Sequence, residues 1–115
     1  QELNIFSSDT STLVLNSNNS SVLSNGKIDL KAILIKLGEM GINNLLVEAG
    51  SGLNGAMLDA GLIDEYIIYT APIILGSDAQ SMFQIPLTKM TEKIYLDIVE
   101  IRNIGEDIKI KAIPR

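Results

Sequence analysis

The run Asn44-Leu45-Leu46-Val47-Glu48-Ala49-Gly50-Ser51-Gly52-Leu53-Asn54-Gly55-Ala56-Met57-Leu58 limits the fold more than any other part of the chain. Leu45, Leu46 and Val47 are apolar on consecutive positions, as in a central strand buried on both faces. The run ends in a carboxylate, Glu48, and a glycine-rich turn follows. The pattern then becomes helical over residues 53–60. Leu53, Ala56, Met57 and Ala60 line one face, and Gly61 closes it. A strand that turns at Gly50-Ser51-Gly52 into a helix leaves backbone N–H groups directed at the turn. That arrangement favours anions, of which nucleotide phosphates are the usual example.

Gly50, Gly52 and Gly55 spell G-x-G-x-x-G, with a strand before and a helix after. The same glycines suit a purely structural turn, and the pattern alone leaves both readings open. A Rossmann domain is not expected. Its carboxylate, due about 20 residues on at the end of the next strand, has no counterpart near Thr70-Ala71-Pro72. Gly55 inside a helix costs up to ~1 kcal/mol, so a ligand or the sheet is expected to approach its backbone closely. Glu48 has two readings. Its carboxylate is satisfied by nearby backbone N–H groups, or it accepts from hydroxyls or ring N–H groups of a polar substrate. Met57 reads as core filler.

Around this run the chain alternates. Residues 1–11 read as a connecting arm that tucks Leu3, Ile5 or Phe6. Residues 12–15 read as a short strand, and residues 16–25 as a solvated Ser/Asn loop. A sharper alternative puts Asn16 or Ser17 at a strand's C-terminal end, where open α/β sheets bind ligands. Asp29 is a fair N-cap for a helix over 30–37, closed by Gly38, with Leu30, Ile33, Leu34 and Leu37 as one stripe. Residues 66–71 are a strong strand signal ended by Pro72. Residues 77–84 read as a polar loop with a helical turn around 79–83. Residues 93–102 and 107–113 read as a hairpin, with Lys109 and Lys111 on its wet face. Asp59, Asp64 and Glu65 read as solvated or capping charges. Strand, helix, strand, helix, strand and hairpin imply parallel crossovers at first and an antiparallel edge at the end. The class is α/β with a mixed sheet.

Composition removes several functions. The 115 residues point to one domain or part of one. Nine Lys and Arg against 14 Asp and Glu give a net charge of -5, which argues against nucleic-acid or anionic-membrane partners. With no Cys and no His, no thiolate or imidazole metal site, Cys nucleophile or His base is available, and no metal is expected. No apolar run approaches the ~20 residues of a membrane span, and no signal peptide is visible, so a cytoplasmic location is expected. The first residue is Gln1 rather than Met, which reads as a piece of something longer.

Residues 46–65, followed by Tyr69-Thr70-Ala71-Pro72-Ile73-Ile74-Leu75-Gly76, closely resemble the reductase domain of the bacterial bifunctional riboflavin-biosynthesis deaminase/reductase. That family reads roughly V-E-G/A-G-x-x-L-x-G-x-x-L-x-x-G-L-V-D-E, then a strand, then A-P-x-x-L-G. Residues 99–107 also resemble the family's closing hairpin. The resemblance covers Asp29 to the C-terminus well and the first residues loosely.

The resemblance implies a dihydrofolate-reductase-like mixed sheet with flanking helices and a C-terminal antiparallel hairpin. It implies NADPH-dependent reduction of the ribosyl group of 5-amino-6-(5-phosphoribosylamino)uracil to the ribityl product. By the same likeness, Glu48 contacts substrate, and Gly50, Ser51, Gly52, Leu53, Asn54, Gly55 and Ala56 hold the NADPH phosphates. It also implies a cis peptide at Ala49–Gly50, and a homodimer through the C-terminal strands. No side chain here is an obvious proton donor, so no catalytic residue is assigned. Residues 1–115 correspond to the C-terminal part of the reductase domain. The N-terminal half, with the arginines for the substrate phosphate, and the zinc-bearing deaminase domain have no counterpart. The piece alone is therefore expected to be inactive. Two alternatives stay open: another dihydrofolate-reductase-like NADPH reductase, and a non-catalytic dimerisation module.

Overall fold

Two compact units, Gln1–Leu45 and Leu46–Arg115, make up the chain. The computed structural model describes residues 12–87, 89 and 92–115. The arm expected over residues 1–11 lies outside the described residues.

In the first unit, Asp29 opens helix α1 (Leu30–Glu39). Its carboxylate accepts from the Ala32 N–H at 3.1 Å, as an N-cap does. Leu30, Ile33, Leu34 and Leu37 are half-buried along one stripe, while Ile35 faces solvent. The helix runs past Gly38, its expected end. The residue that leaves the helix is Gly41, at φ +84. Its N–H reaches Gly38 O at 2.9 Å and the Ile42 N–H reaches Leu37 O at 3.1 Å, a Schellman pair.

The Ser/Asn segment is exposed, as expected, but it is ordered by its own side chains. Asn16 N–H donates to Asn19 Oδ1, Asn18 N–H to Asn16 Oδ1, and Asn19 Nδ2 to Val14 O. These asparagines mimic backbone turns. The strand expected over residues 12–15 does not form among the described residues: they are not paired in a ladder, and Leu13 and Val14 are each 50% exposed. An isolated antiparallel bridge, Val22 to Ile28, closes the segment before α1.

The second unit holds helix α2 (Ser51–Asp59) and strands β1 (Tyr66–Thr70), β2 (Leu96–Ile104) and β3 (Asp107–Pro114). α2 ends as α1 does. Gly61, at φ +63, donates to Leu58 O, and Leu62 donates to Met57 O. The three strands form one antiparallel sheet in the order β1-β3-β2. β2 and β3 meet at Gly105-Glu106, with Ile104 opposite Asp107. Gly105 has φ +62 and Glu106 does not have positive φ, so the turn is of the II′ kind.

Register sorts the sheet into two faces. Tyr66, Ala112 and Ile98 share one row, and Ile68, Ile110 and Ile101 the next, all on an apolar face. Lys111 and Lys109 lie on the other face, beside Glu100 and Arg102. A bulge between Ile98 and Glu100 makes this possible. Val99 is the extra residue, and it shifts the alternation so that Ile98 and Ile101 share a face. The lysine face is less wet than expected. Lys111 pairs with Glu65 at 2.6 Å, and Lys109, its side chain 16% exposed, lies 3.9 Å from Glu100. Glu65 is thus an ion-pair partner rather than a merely solvated charge. At the sheet's far end Arg115 Nε donates to Asp97 at 2.9 Å. That hydrogen bond holds the Asp97 carboxyl below its usual range.

Met57, Tyr66 and Ala112 are the buried apolar residues of the described chain. Met57 is core, as read from sequence. Three further expectations need correction. Leu45, Leu46 and Val47 form no ladder and are 49%, 76% and 39% exposed. A strand buried on both faces needs a partner on each edge, and none is supplied among the described residues, so the parallel part of the sheet is not formed there. Residues 79–83 are not helical; Ala79 N–H closes a turn on Gly76 O at 3.1 Å. The Ala49–Gly50 peptide is trans. Gly50 joins extended chain to helix with φ -75 and ψ 171, and a trans bond suffices for that path.

Candidate functional site

The α2 turn is built from backbone. Gly50 is the N-cap, and its carbonyl accepts the Asn54 N–H at 3.1 Å. No side chain caps the helix. The N–H groups of Ser51, Gly52 and Leu53 therefore have no acceptor among the described residues. These are the amides that a helix start presents to an anion. Access is open: a Cβ on Gly50 would meet nothing within 4 Å, and one on Gly52 only Gln84 Oε1 at 3.9 Å. Uncapped N–H donors at a helix start are of the kind that suits a phosphate group.

The other residues predicted for this site hold the turn. The Asn54 carboxamide donates to Ala49 O at 3.0 Å and to Met82 O at 3.4 Å. Gly55 is buried, and a Cβ there would lie 2.1 Å from Gln84 O and 2.8 Å from its carbonyl carbon. The close approach expected at Gly55 is thus made by the protein's own backbone, from the loop at 82–84. Gln84 N–H also donates to Ser51 O at 2.9 Å. Ala56 is exposed one residue further along the helix, and its carbonyl accepts from Ala60.

Glu48 precedes the turn and is exposed, with no hydrogen bond or ion pair among the described residues. It is not neutralised by the turn's N–H groups. Its carboxylate remains available to a ligand, as does the row of amides that begins three residues later.

The loop at 82–84 was not singled out from sequence. Only Gly55 pointed to it, as a glycine that a helix would otherwise replace by alanine. Phe83 anchors this loop: its ring meets Tyr66 edge-on, with centroids 5.9 Å apart and planes at 83°. Tyr66 is 7% exposed, and burial raises its phenol above the usual tyrosine range. In the first unit, an open groove of about 660 Å³ is lined by Asn18, Asn19, Ser20, Lys36 and Glu39 among others. Asn19 there is engaged with its own loop, through both Val14 O and Asn16 N–H.

Known proteins match this arrangement. The RibD C-terminal domain family matches residues 1–110. The chain is 44% identical over 87 residues to riboflavin biosynthesis protein RibD of Haemophilus influenzae, covering 75% of this chain and 23% of that protein. It is 40% identical over 92 residues to the 5-amino-6-(5-phosphoribosylamino)uracil reductase of Buchnera aphidicola, covering 79% of this chain and 44% of that one. A solved structure of Acinetobacter baumannii RibD superposes with a TM-score of 0.70 at 32% identity, over 77% of this chain and 26% of the other. The chain thus spans between about a quarter and a half of the length of these relatives. An α/β arrangement with a closing antiparallel hairpin, and a match over nearly the whole sequence, lead to one assignment: the chain belongs to the RibD C-terminal domain family.

Proposed function

We propose that this chain is the part of a riboflavin-pathway pyrimidine reductase that holds the phosphates of NADPH and presents one carboxylate to the substrate. The substrate is the ribosyl phosphate of 5-amino-6-(5-phosphoribosylamino)uracil, the compound in the name of the Buchnera relative. One observation carries the reading. The N–H groups of Ser51, Gly52 and Leu53 are unengaged among the described residues, at a helix start that no side chain caps.

The cofactor binds with its diphosphate on these amides, where the helix dipole and three donors favour negative charge. When bound, NADPH supplies the hydride. Gly50 and Gly52 allow close approach, Asn54 and Gly55 hold the turn in shape, and Ala56 continues the helix. Glu48 accepts hydrogen bonds from substrate hydroxyl or ring N–H groups and orients the ring. Among the described residues no side chain is an obvious proton donor. A homodimer forms through the C-terminal strands in a cytoplasmic enzyme, a reading supported by Ile98, Val99 and Ile101, which are 57–60% exposed on β2.

NADPH titrated into the isotope-labelled chain should move the amide resonances of Ser51, Gly52 and Leu53 first, and should leave β3 unmoved. Shifts spread evenly over the chain, or none, would refute the phosphate site. Steady NADPH oxidation by this chain alone with the pyrimidine substrate would contradict its assignment as one part of the pocket.

A further inference from the structure

We propose that the loop at 82–84 is a clasp that presets the first turn of α2 for its anion, with Phe83 and Asn54 as positioning residues. This rests on the phosphate reading of that turn. A nine-residue helix holds its own first turn weakly, since helix ends fray. Here the turn is tied from outside at three points. Gln84 N–H donates to Ser51 O, Asn54 Nδ2 donates to Met82 O as well as Ala49 O, and the Gln84 backbone lies where a Gly55 side chain would be.

The loop is itself fixed by Phe83 against Tyr66. Tyr66 is the first residue of β1 and stands opposite Ala112 of β3, so the turn is tied back to the sheet. The ties use carbonyl oxygens, a side-chain amide and the Gln84 N–H. None uses the N–H groups of Ser51, Gly52 or Leu53. The clasp thus orders the donors without occupying them, which lowers the ordering cost that a ligand would otherwise meet. Asn54 belongs to the clasp rather than to the phosphate contacts. Its backbone N–H is taken by Gly50 O and its carboxamide N–H groups by Ala49 O and Met82 O.

The test is NADPH binding to the full chain by amide resonance shifts, in wild type, Phe83→Ala, Asn54→Ala and Phe83→Tyr. Phe83 acts through its edge-on packing against Tyr66, so a loss there reports positioning. The expected result is a Kd about tenfold higher for each alanine variant, a near-normal Kd for Phe83→Tyr, and less than additive loss in the double alanine variant. The β2 and β3 amides should keep their positions throughout. Should Phe83→Ala unfold, Asn54→Ala, which places a good helix former on the helix, decides alone. Wild-type affinity in the alanine variants overturns the clasp. If wild type binds no NADPH, the phosphate reading fails separately. The clasp is then judged by hydrogen exchange at the Gln84 and Asn54 amides, which Phe83→Ala should speed about tenfold; an unchanged rate overturns it.

Discussion

α1 and α2 are near twins that differ at one end. They have ten and nine residues, and both leave through a left-handed glycine and the same pair of crossed hydrogen bonds. Each N-cap residue is extended, and its carbonyl accepts the first helical N–H, from Ile33 and Asn54 respectively. At α1 the Asp29 carboxylate then sits on the helix start and takes the Ala32 N–H. At α2 a glycine stands in that place and the amides are left open. The first helix carries its own anion; the second has none among the described residues. Relative to glycine a capping side chain is worth only a few tenths of a kcal/mol, so the bare start is a small loss of local stability that a bound anion would offset.

The largest expected effect comes from closing the space that shapes α2. Gly55→Ala raises helix propensity but drives a methyl into the Gln84 carbonyl, 2.1 Å away. Overpacking against backbone should outweigh the propensity gain and destabilise the second unit by about 1–3 kcal/mol. Urea unfolding followed at β3 and α2 amides would measure it. A stabilised variant would mean that the loop yields freely and that the turn is not held from outside.

Asp29→Ala makes the start of α1 as bare as that of α2. The expected loss is about 1 kcal/mol, confined to the first unit, and read by the same unfolding series at α1 amides. If α2 amides change as much, the contrast between the helices is not local.

Gly50→Asp performs the converse experiment. The backbone at Gly50 is extended and a Cβ there has free space, so an aspartate can cap the open amides. Stability should rise by only a few tenths of a kcal/mol, while NADPH binding falls about tenfold or more, since one carboxylate excludes another anion. Calorimetry on wild type and Gly50→Asp checks this. Undiminished binding would put the phosphates elsewhere.

The smallest effect at neutral pH belongs to Tyr66→Phe, which keeps the ring that meets Phe83. Burial raises the Tyr66 phenol pKa in the folded chain. Its neutral form is therefore favoured by folding. That contribution is complete below about pH 10, the ordinary tyrosine value, and is lost as pH rises through the raised value. Wild type should loosen around α2 in this alkaline range while α1 holds, and Tyr66→Phe should remove that part of the loss. Equal alkaline loss in both proteins would show that Tyr66 is not its source.

Local signals carried much of this structure. Asp29 as a cap, the stripe from Leu30 to Leu37, Gly61 past the end of α2, Tyr66 as the start of a strand and the Gly105 hairpin each depend on a few neighbouring residues. They were legible for that reason. The Glu48 to Ala56 turn was legible too, as a glycine-rich passage into a helix and as a family motif.

Long-range packing settled the rest. Whether Leu45, Leu46 and Val47 pair depends on partners distant in sequence, and their apolar character cannot supply them. The Val99 bulge follows from aligning two lysines with Glu100 and Arg102 while keeping isoleucines on the other face, a choice made by the whole register of β2 on β3. At the candidate site, sequence named seven turn residues as one group. The fold divides them into amides left open and residues that hold the turn, because a loop some thirty positions downstream lies against Gly55. The residue types determined that a glycine-rich turn would open into a helix, expected from Leu53 and found to begin two residues earlier, at Ser51. Only tertiary packing decided which of its groups stay free, since freedom at a buried or open amide is set by what else comes near it.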